Sequence, residues 1–300
     1  MNFDLPLVLG SAVVGFLVGL TGMGGGALMT PMLVLLFGVT PSAAISSDLV
    51  AAFFMKPLGV AIHWRRGTVQ GKIVKYLCLG SVPAAFLGTF AMHLGGQSVT
   101  AEKRLQLLLG VALILGAGSM IARFVLPSRK QGSTSEIVIR RLPIVAIGVF
   151  GGFMVGLTSV GAGSLILVLL LFLYPNLRSD QLVGTDLAQS IPLTLAATIG
   201  SLIFGHVQFA LTGSIILGSV PAVVVGALLS SRDMSRLIRP FIAGVALLSG
   251  LKYVGLPIPA LGASAVVILA VVVVATARTR HIEKLEGAED LDVELAPAGG

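Results

Sequence analysis

The sequence predicts an all-α polytopic integral membrane protein: two inverted repeats with interrupted or re-entrant helices at Gly-rich turns, plus a C-terminal helix. Three observations carry this. The 300 residues are 55% hydrophobic and only 11% charged, with mean hydropathy +1.00, against about 25% charged residues in soluble domains. The same motifs occur twice, in the same order. The basic residues gather on one side of the spans that the apolar runs imply.

Apolar runs fall at about 5–21, 27–38, 43–63, 73–94, 105–126, 142–158, 163–174, 182–204, 211–230, 240–256 and 258–277. A helix crosses a bilayer in roughly 20 residues, so the runs at 27–38 and 163–174 are too short to cross comfortably. Each follows a glycine-rich break and reads as part of a re-entrant hairpin or a discontinuous helix. The opening residues, MNFDLPLVLG, have no Lys or Arg before the apolar run and no small-residue cleavage pattern after it. They read as a first membrane segment and not as a cleaved signal.

The repeat is explicit. GFLVGLTGMGGG (15–26) matches GFMVGLTSVGAG (152–163) at an offset of 137, and GSVPAAFLG (80–88) matches GSVPAVVVG (218–226) at 138. GVALILG (110–116) matches GVALLSG (244–250) at 134. Three blocks in one order divide the chain into a first membrane repeat (1–126), a basic linker (127–141), a second repeat (142–257), a final transmembrane helix (258–277) and a disordered tail (278–300).

Charge sets the sides. Up to residue 280 there are 19 Lys and Arg against 7 Asp and Glu. Counting spans puts 16 of the 20 basic residues on one face, including Arg65, Arg66, Lys72 and Lys75 of one loop and Arg123, Arg129, Lys130, Arg140 and Arg141 of the linker. The positive-inside rule makes that face cytoplasmic, which places the N-terminus outside and the C-terminus inside a bacterial inner membrane. The basic loop 64–75 then lies inside, while its repeat mate FGHVQFA (204–210) lies outside. The halves are therefore expected to be inverted, as in secondary transporters that hold substrate near the bilayer midplane. The excess of positive charge is accounted for by membrane topology, and nucleic acid need not be invoked.

GMGGGA formally fits a dinucleotide-binding pattern, but no strand precedes it and no βαβ unit surrounds it. The Gly-Lys-Ser/Thr ending of a phosphate loop is missing too. Two readings stay open, and they are compatible. The glycines let helices pack closely, or they break a helix and hold an anion on freed backbone N–H groups. The matched break in the second half, with Thr158, Ser159 and Ser164, favours a site. No cofactor, metal spacing or catalytic constellation is present: Cys78 stands alone, and no Ser–His–Asp arrangement occurs.

Ionisable residues at membrane depth are costly and mark pathways or relays. Asp48 and Lys56 lie inside the third run, eight residues apart, which on one helix is about 12 Å of rise and roughly 80° of turn. Direct pairing is disfavoured unless the helix breaks near Pro57. Asp186 occupies the place of Asp48 at offset 138, with Gln189 and Pro192 near it. For each Asp a structural hydrogen bond to a neighbouring Gly turn competes with gating or proton transfer. For Lys56, snorkelling to the inner face competes with anion contact. His63 and Trp64 read as interface anchors, and His93 and His206 as loop or interface residues.

GFLVGLTGMGGG, SSDLVAAFFMKPLGVAIHWRRGTV and VGTDLAQSIPLTLAATIGSLIFGHV resemble the TauE/SafE family, the sulfite exporters, over about residues 10–255. The resemblance implies a bacterial inner-membrane carrier that moves sulfite or an organosulfur anion, usually outward. The expected substrate-binding set is Thr21, Gly22, Gly24, Gly25, Gly26, Ser47, Asp48 and Lys56, with Thr158, Ser159, Gly161, Gly163, Ser164, Thr185, Asp186 and Gln189 from the second half. The expected partners are a small anionic substrate, the lipid bilayer and a coupling proton; a homo-oligomer is left open. A channel-like anion pore and a membrane assembly partner are the competing function classes.

Overall fold

The computed structural model describes residues 4–22, 25–65, 69–95, 98–125, 139–161, 165–175, 177, 179–230, 232–257, 259–262 and 264, with no side-chain description at 58–65, 122–125, 179–180 and 232–237. Gly24, Gly163 and Ser164 lie outside these residues, as do nearly all of the expected final helix and the tail. Among the described residues the chain is helical, with no strand.

The first half holds α1 (Leu5–Thr21), α2 (Met29–Leu35), α3 (Pro41–Arg65), α4 (Gly71–Leu94) and α5 (Val99–Val125). The second holds α6 (Arg141–Thr158), α7 (Leu165–Leu173), α8 (Ser179–Phe204), α9 (Phe209–Leu229) and α10 (Arg232–Tyr253). Five of them, α4, α5, α6, α8 and α9, contain stretches long and apolar enough to cross a membrane. The two breaks fall where the glycines predict. The short elements after them, α2 and α7, have 7 and 9 residues.

Two helices start earlier than their apolar runs. α5 begins at Val99 and not near 105, and α10 at Arg232 and not near 240. Their first turns are charged (Glu102, Lys103 and Arg104; Arg232, Asp233 and Arg236), so hydropathy alone hides them. Ser98 starts α5 by accepting the Ala101 N–H on its hydroxyl at 3.1 Å, a conventional helix cap. α3 is continuous through Pro57, so no break brings Asp48 and Lys56 together. Prolines persist inside membrane helices because neighbouring groups satisfy the backbone they free.

Matching by repeat pairs α1 with α6, α3 with α8, α4 with α9 and α5 with α10. The packing obeys that correspondence. α1 lies along α9 and α4 along α6, while α3 packs on α8 and α5 on α10. The first two contacts exchange under the correspondence and the last two map onto themselves, the pattern of a two-fold relation. The detail repeats as well. A Cβ at Gly15 would lie 2.5 Å from the Ser219 carbonyl oxygen, and a Cβ at Gly152 would collide with that of Ser81. Both seams run parallel: Gly15 and Gly19 of α1 face Ser219 and Val223 of α9, as Gly152 and Gly156 of α6 face Ser81 and Ala85 of α4. Small residues thus let these backbones touch where lipid offers no hydrophobic drive for association.

Candidate functional site

The site lies where α3 and α8 cross beside the two breaks. α1 ends at Gly22, whose φ is +66°, with its N–H bonded to the Val18 carbonyl at 2.8 Å. α6 ends the same way at Ser159, with φ +59° and its N–H on the Val155 carbonyl at 2.7 Å. The left-handed position that closes a helix usually takes glycine; the second half holds serine there, and its hydroxyl is used. After Gly22 the chain re-forms through a single 3-10 turn, Gly25–Ala27, before α2.

Asp48, fully buried near the start of α3, gathers both breaks. Its Oδ2 accepts the Thr30 hydroxyl at 2.7 Å from α2 and the Ser159 hydroxyl at 2.8 Å from the second half. Its Oδ1 is buried and has no hydrogen-bond partner among the described residues. A Cβ at Gly25 would stand 3.9 Å from that oxygen. The breaks also touch directly, because a Cβ at Gly26 would collide with the Ser159 carbonyl oxygen.

Beside this junction is a cavity lined by Gly25, Gly26, Leu49, Ala52, Lys56, Val155, Ser159 and Thr194. It has space for about one water molecule. Lys56 is half-buried here. Asp186 and Asp48 both lie within electrostatic reach of its ammonium group. Lys56 and Thr194 are repeat mates at offset 138, so the two halves present a cation and a hydroxyl to one space. The Thr194 hydroxyl donates to the Ser190 carbonyl at 2.6 Å.

Asp186 is held differently. Its Oδ1 accepts the Gln189 side-chain N–H at 3.3 Å, and the Gln189 Oε1 accepts the Ser81 hydroxyl of α4 at 3.1 Å. Thr185 accepts the Gln70 backbone N–H at 3.1 Å, across the halves. The Thr198 hydroxyl adds a further tie from α8 to the Leu49 carbonyl at 3.0 Å.

Of the residues expected from sequence, Gly25, Gly26, Asp48, Lys56 and Ser159 meet at this one place. Asp186 joins them through its charge on Lys56, with Gln189 supporting it. Thr21 and Thr158 do not point into the cavity network; their hydroxyls return to their own helices, on the Leu17 and Met154 carbonyls at 2.7 Å each. The Thr21 carbonyl accepts from Arg239 at 3.1 Å and the Leu20 carbonyl from the Ser230 hydroxyl at 2.7 Å, so two second-half side chains cap the first break. Ser47 is buried beside Asp48 without a hydrogen-bond partner among the described residues, and Gly161 has φ +120°. Sequence reasoning does not single out Thr30, Thr194 or Ser81. The offset of 138 could have found Thr194 as the mate of Lys56; no spacing rule picks out Thr30 or Ser81. His93 and His206 stack at 6.4 Å between ring centroids, with Phe204 against His93. No cluster of three or more His, Cys, Asp or Glu suited to a metal occurs among the described residues.

Interrupted helices in two matched halves that meet at buried ionisable residues are a feature of membrane transporters. Residues 7–253 match the family model "Sulfite exporter TauE/SafE", and the chain belongs to that family. Among relatives, the "probable membrane transporter protein" YjnA of Bacillus subtilis is 40% identical over 255 residues, covering 84% of this chain and 100% of its own. YdhB of the same organism is 25% identical over 74% of this chain and 88% of its own. MJ0441 of Methanocaldococcus jannaschii is 28% identical over 66% and 71%. No solved structure matches the chain.

Proposed function

We propose that this protein is a secondary transporter that carries a small sulfur-containing anion, sulfite or an organosulfur acid, out across the bacterial inner membrane. The observation that carries this reading is the cavity at the crossing of α3 and α8, with Lys56 on its wall and both breaks beside it. A lysine at membrane depth supplies the charge an anion needs after losing its water. The family description, sulfite exporter, supplies the substrate class and the direction. An oxoanion of sulfur is several times larger than a water molecule, so the cavity must widen to take it. The contact of Gly26 with Ser159 is the place to open, since no side chain fills it. A closed space of this size favours a carrier over a continuously open pore.

The two halves are inverted in this reading. Charge counting runs α1 and α9 from the outer to the inner face and α4 and α6 the opposite way. The parallel α1–α9 and α4–α6 seams agree with that count. Such halves rock about a shared midplane site. With no nucleotide-binding motif in the sequence, the driving force is a gradient, and the Asp residues are the groups that can couple protons.

The test is sulfite flux into proteoliposomes. We expect it to saturate with concentration, and Lys56→Ala to reduce it by about tenfold or more, with an unchanged elution profile. Flux that stays proportional to driving force, or that is indifferent to Lys56, overturns the reading.

A further inference from the structure

We infer that Asp48 is the carboxyl that loads and releases the coupling proton, and that Asp186 is a positioning residue that stays ionised beside Lys56. The inference rests on the transport reading above and assigns its coupling to one residue.

The two carboxylates are repeat mates with unlike surroundings. The acceptor oxygen Oδ2 of Asp48 is occupied by two hydroxyls, from Thr30 and Ser159, while Oδ1 is buried without a partner on the side of Gly25, a cavity-lining residue. An ionised carboxylate leaving such an oxygen unmatched is costly. An anion entering the adjacent space adds like-charge repulsion. A proton on Oδ1 removes both costs and turns that atom into a donor toward the cavity. Anion and proton therefore favour each other's binding, and both leave together when the breaks part, so outward transport on this route runs on the anion's own gradient and against the inward proton gradient. Asp186 instead accepts a hydrogen bond from Gln189, which Ser81 holds in turn, and a donor on that oxygen favours the ionised form. It has reason to stay charged.

The other charged groups around Asp48 are few. Lys56 shares its helix, as do His63 and Arg65 at the far end of α3. On the elements packed against α3, α2 and α9 carry no titratable residue. α6 has only Arg141, in its first turn, and α5 has Glu102, Lys103 and Arg104 near its start, with Glu102 bonded to Ser42, and Arg123 in its last turn. α8 has Asp180 at its start and Asp186. No second carboxylate is placed to share the Asp48 proton through a hydrogen bond among the described residues.

The test has two arms on the full chain. In the first, infrared difference spectra are taken on the protein in lipid without substrate as pH is stepped from about 5 to about 8. A carboxylic acid C=O band should titrate in the native protein and in Asp186→Asn, and vanish in Asp48→Asn. In the second, sulfite flux is measured across the same range, as the ratio of native to Asp48→Asn, which cancels the titration of sulfite itself. That ratio should change by about tenfold. Asp186→Asn should raise the KM for sulfite and keep the native pH profile. A titrating band that survives Asp48→Asn, a flat ratio, or a dependence on sodium in place of pH overturns the assignment. Absence of saturable sulfite flux in the native protein fells the transport reading, while the infrared arm still judges Asp48.

Discussion

Asp48 and Asp186 stand at matching positions of two homologous halves, yet they are held differently. Asp48 reaches across the repeat boundary: the hydroxyl it takes from Ser159 comes from the other half's break. The matching position in the first break is Gly22, which has no side chain to offer Asp186. Asp186 finds Gln189 on its own helix instead. One difference at a helix end, serine in one half for glycine in the other, thus gives Asp48 a hydroxyl partner that the first break's glycine cannot mirror. The duplication kept the scaffold, since the seams and the left-handed helix ends match in detail. The cavity chemistry diverged, with Lys56 from one half facing Thr194 from the other.

The largest expected effect tests whether the breaks close on each other. Gly26→Val adds a side chain where even a Cβ meets the Ser159 carbonyl. Backbone cannot yield as a flexible side chain would, and overpacking of this kind costs about 1–3 kcal/mol. Sulfite flux should fall below detection and the thermal midpoint should drop. Native-like flux and stability would mean that the breaks do not touch, and the comparison between halves would lose its centre.

The helices, the breaks and the repeat correspondence were legible in the sequence because each has a one-dimensional signature. Apolar runs mark helix interiors, glycine clusters mark breaks, and a constant offset marks duplication. The polar first turns of α5 and α10 were not legible, because charge hides a helix start from hydropathy. The site was half legible. Ionisable residues stand out in an apolar run, so Asp48, Lys56 and Asp186 could be found. Hydroxyls do not, because Ser and Thr in membrane helices usually bond back to their own turn, as Thr21 and Thr158 do. Only packing separates Thr30, which reaches Asp48, from Thr21, which does not.

An intermediate effect tests whether the two cavity walls are interchangeable. Lys56→Thr should lower kcat/KM for sulfite by about tenfold to about hundredfold, the size of a lost charged hydrogen bond. Adding Thr194→Lys puts the cation on the repeat-matched wall of the same cavity. If the halves are equivalent around the space, the double swap recovers part of the flux. If Asp186 is needed to hold the lysine, the swap recovers nothing, because Asp186 then shares a helix with the introduced lysine in place of facing it from α8.

The smallest effect separates two uses of glycine within one stretch. Gly22 has open space around it and a left-handed backbone, whereas Gly26 has neither the space nor that backbone. Gly22→Ala should therefore cost only about 1 kcal/mol, through its φ of +66°, and leave flux nearly native. Gly22→Asn should cost less, since Asn tolerates that conformation better than other side chains. Gly22→Ser copies what Ser159 already does in the second half, where a serine holds the same conformation at the same helix end. The ordering Asn and Ser above Ala, read from thermal midpoints, would show that only the backbone angle matters at Gly22. A loss of flux in Gly22→Ser as deep as that in Gly26→Val would mean instead that this helix end needs empty space, and that the two ends of the break are alike after all.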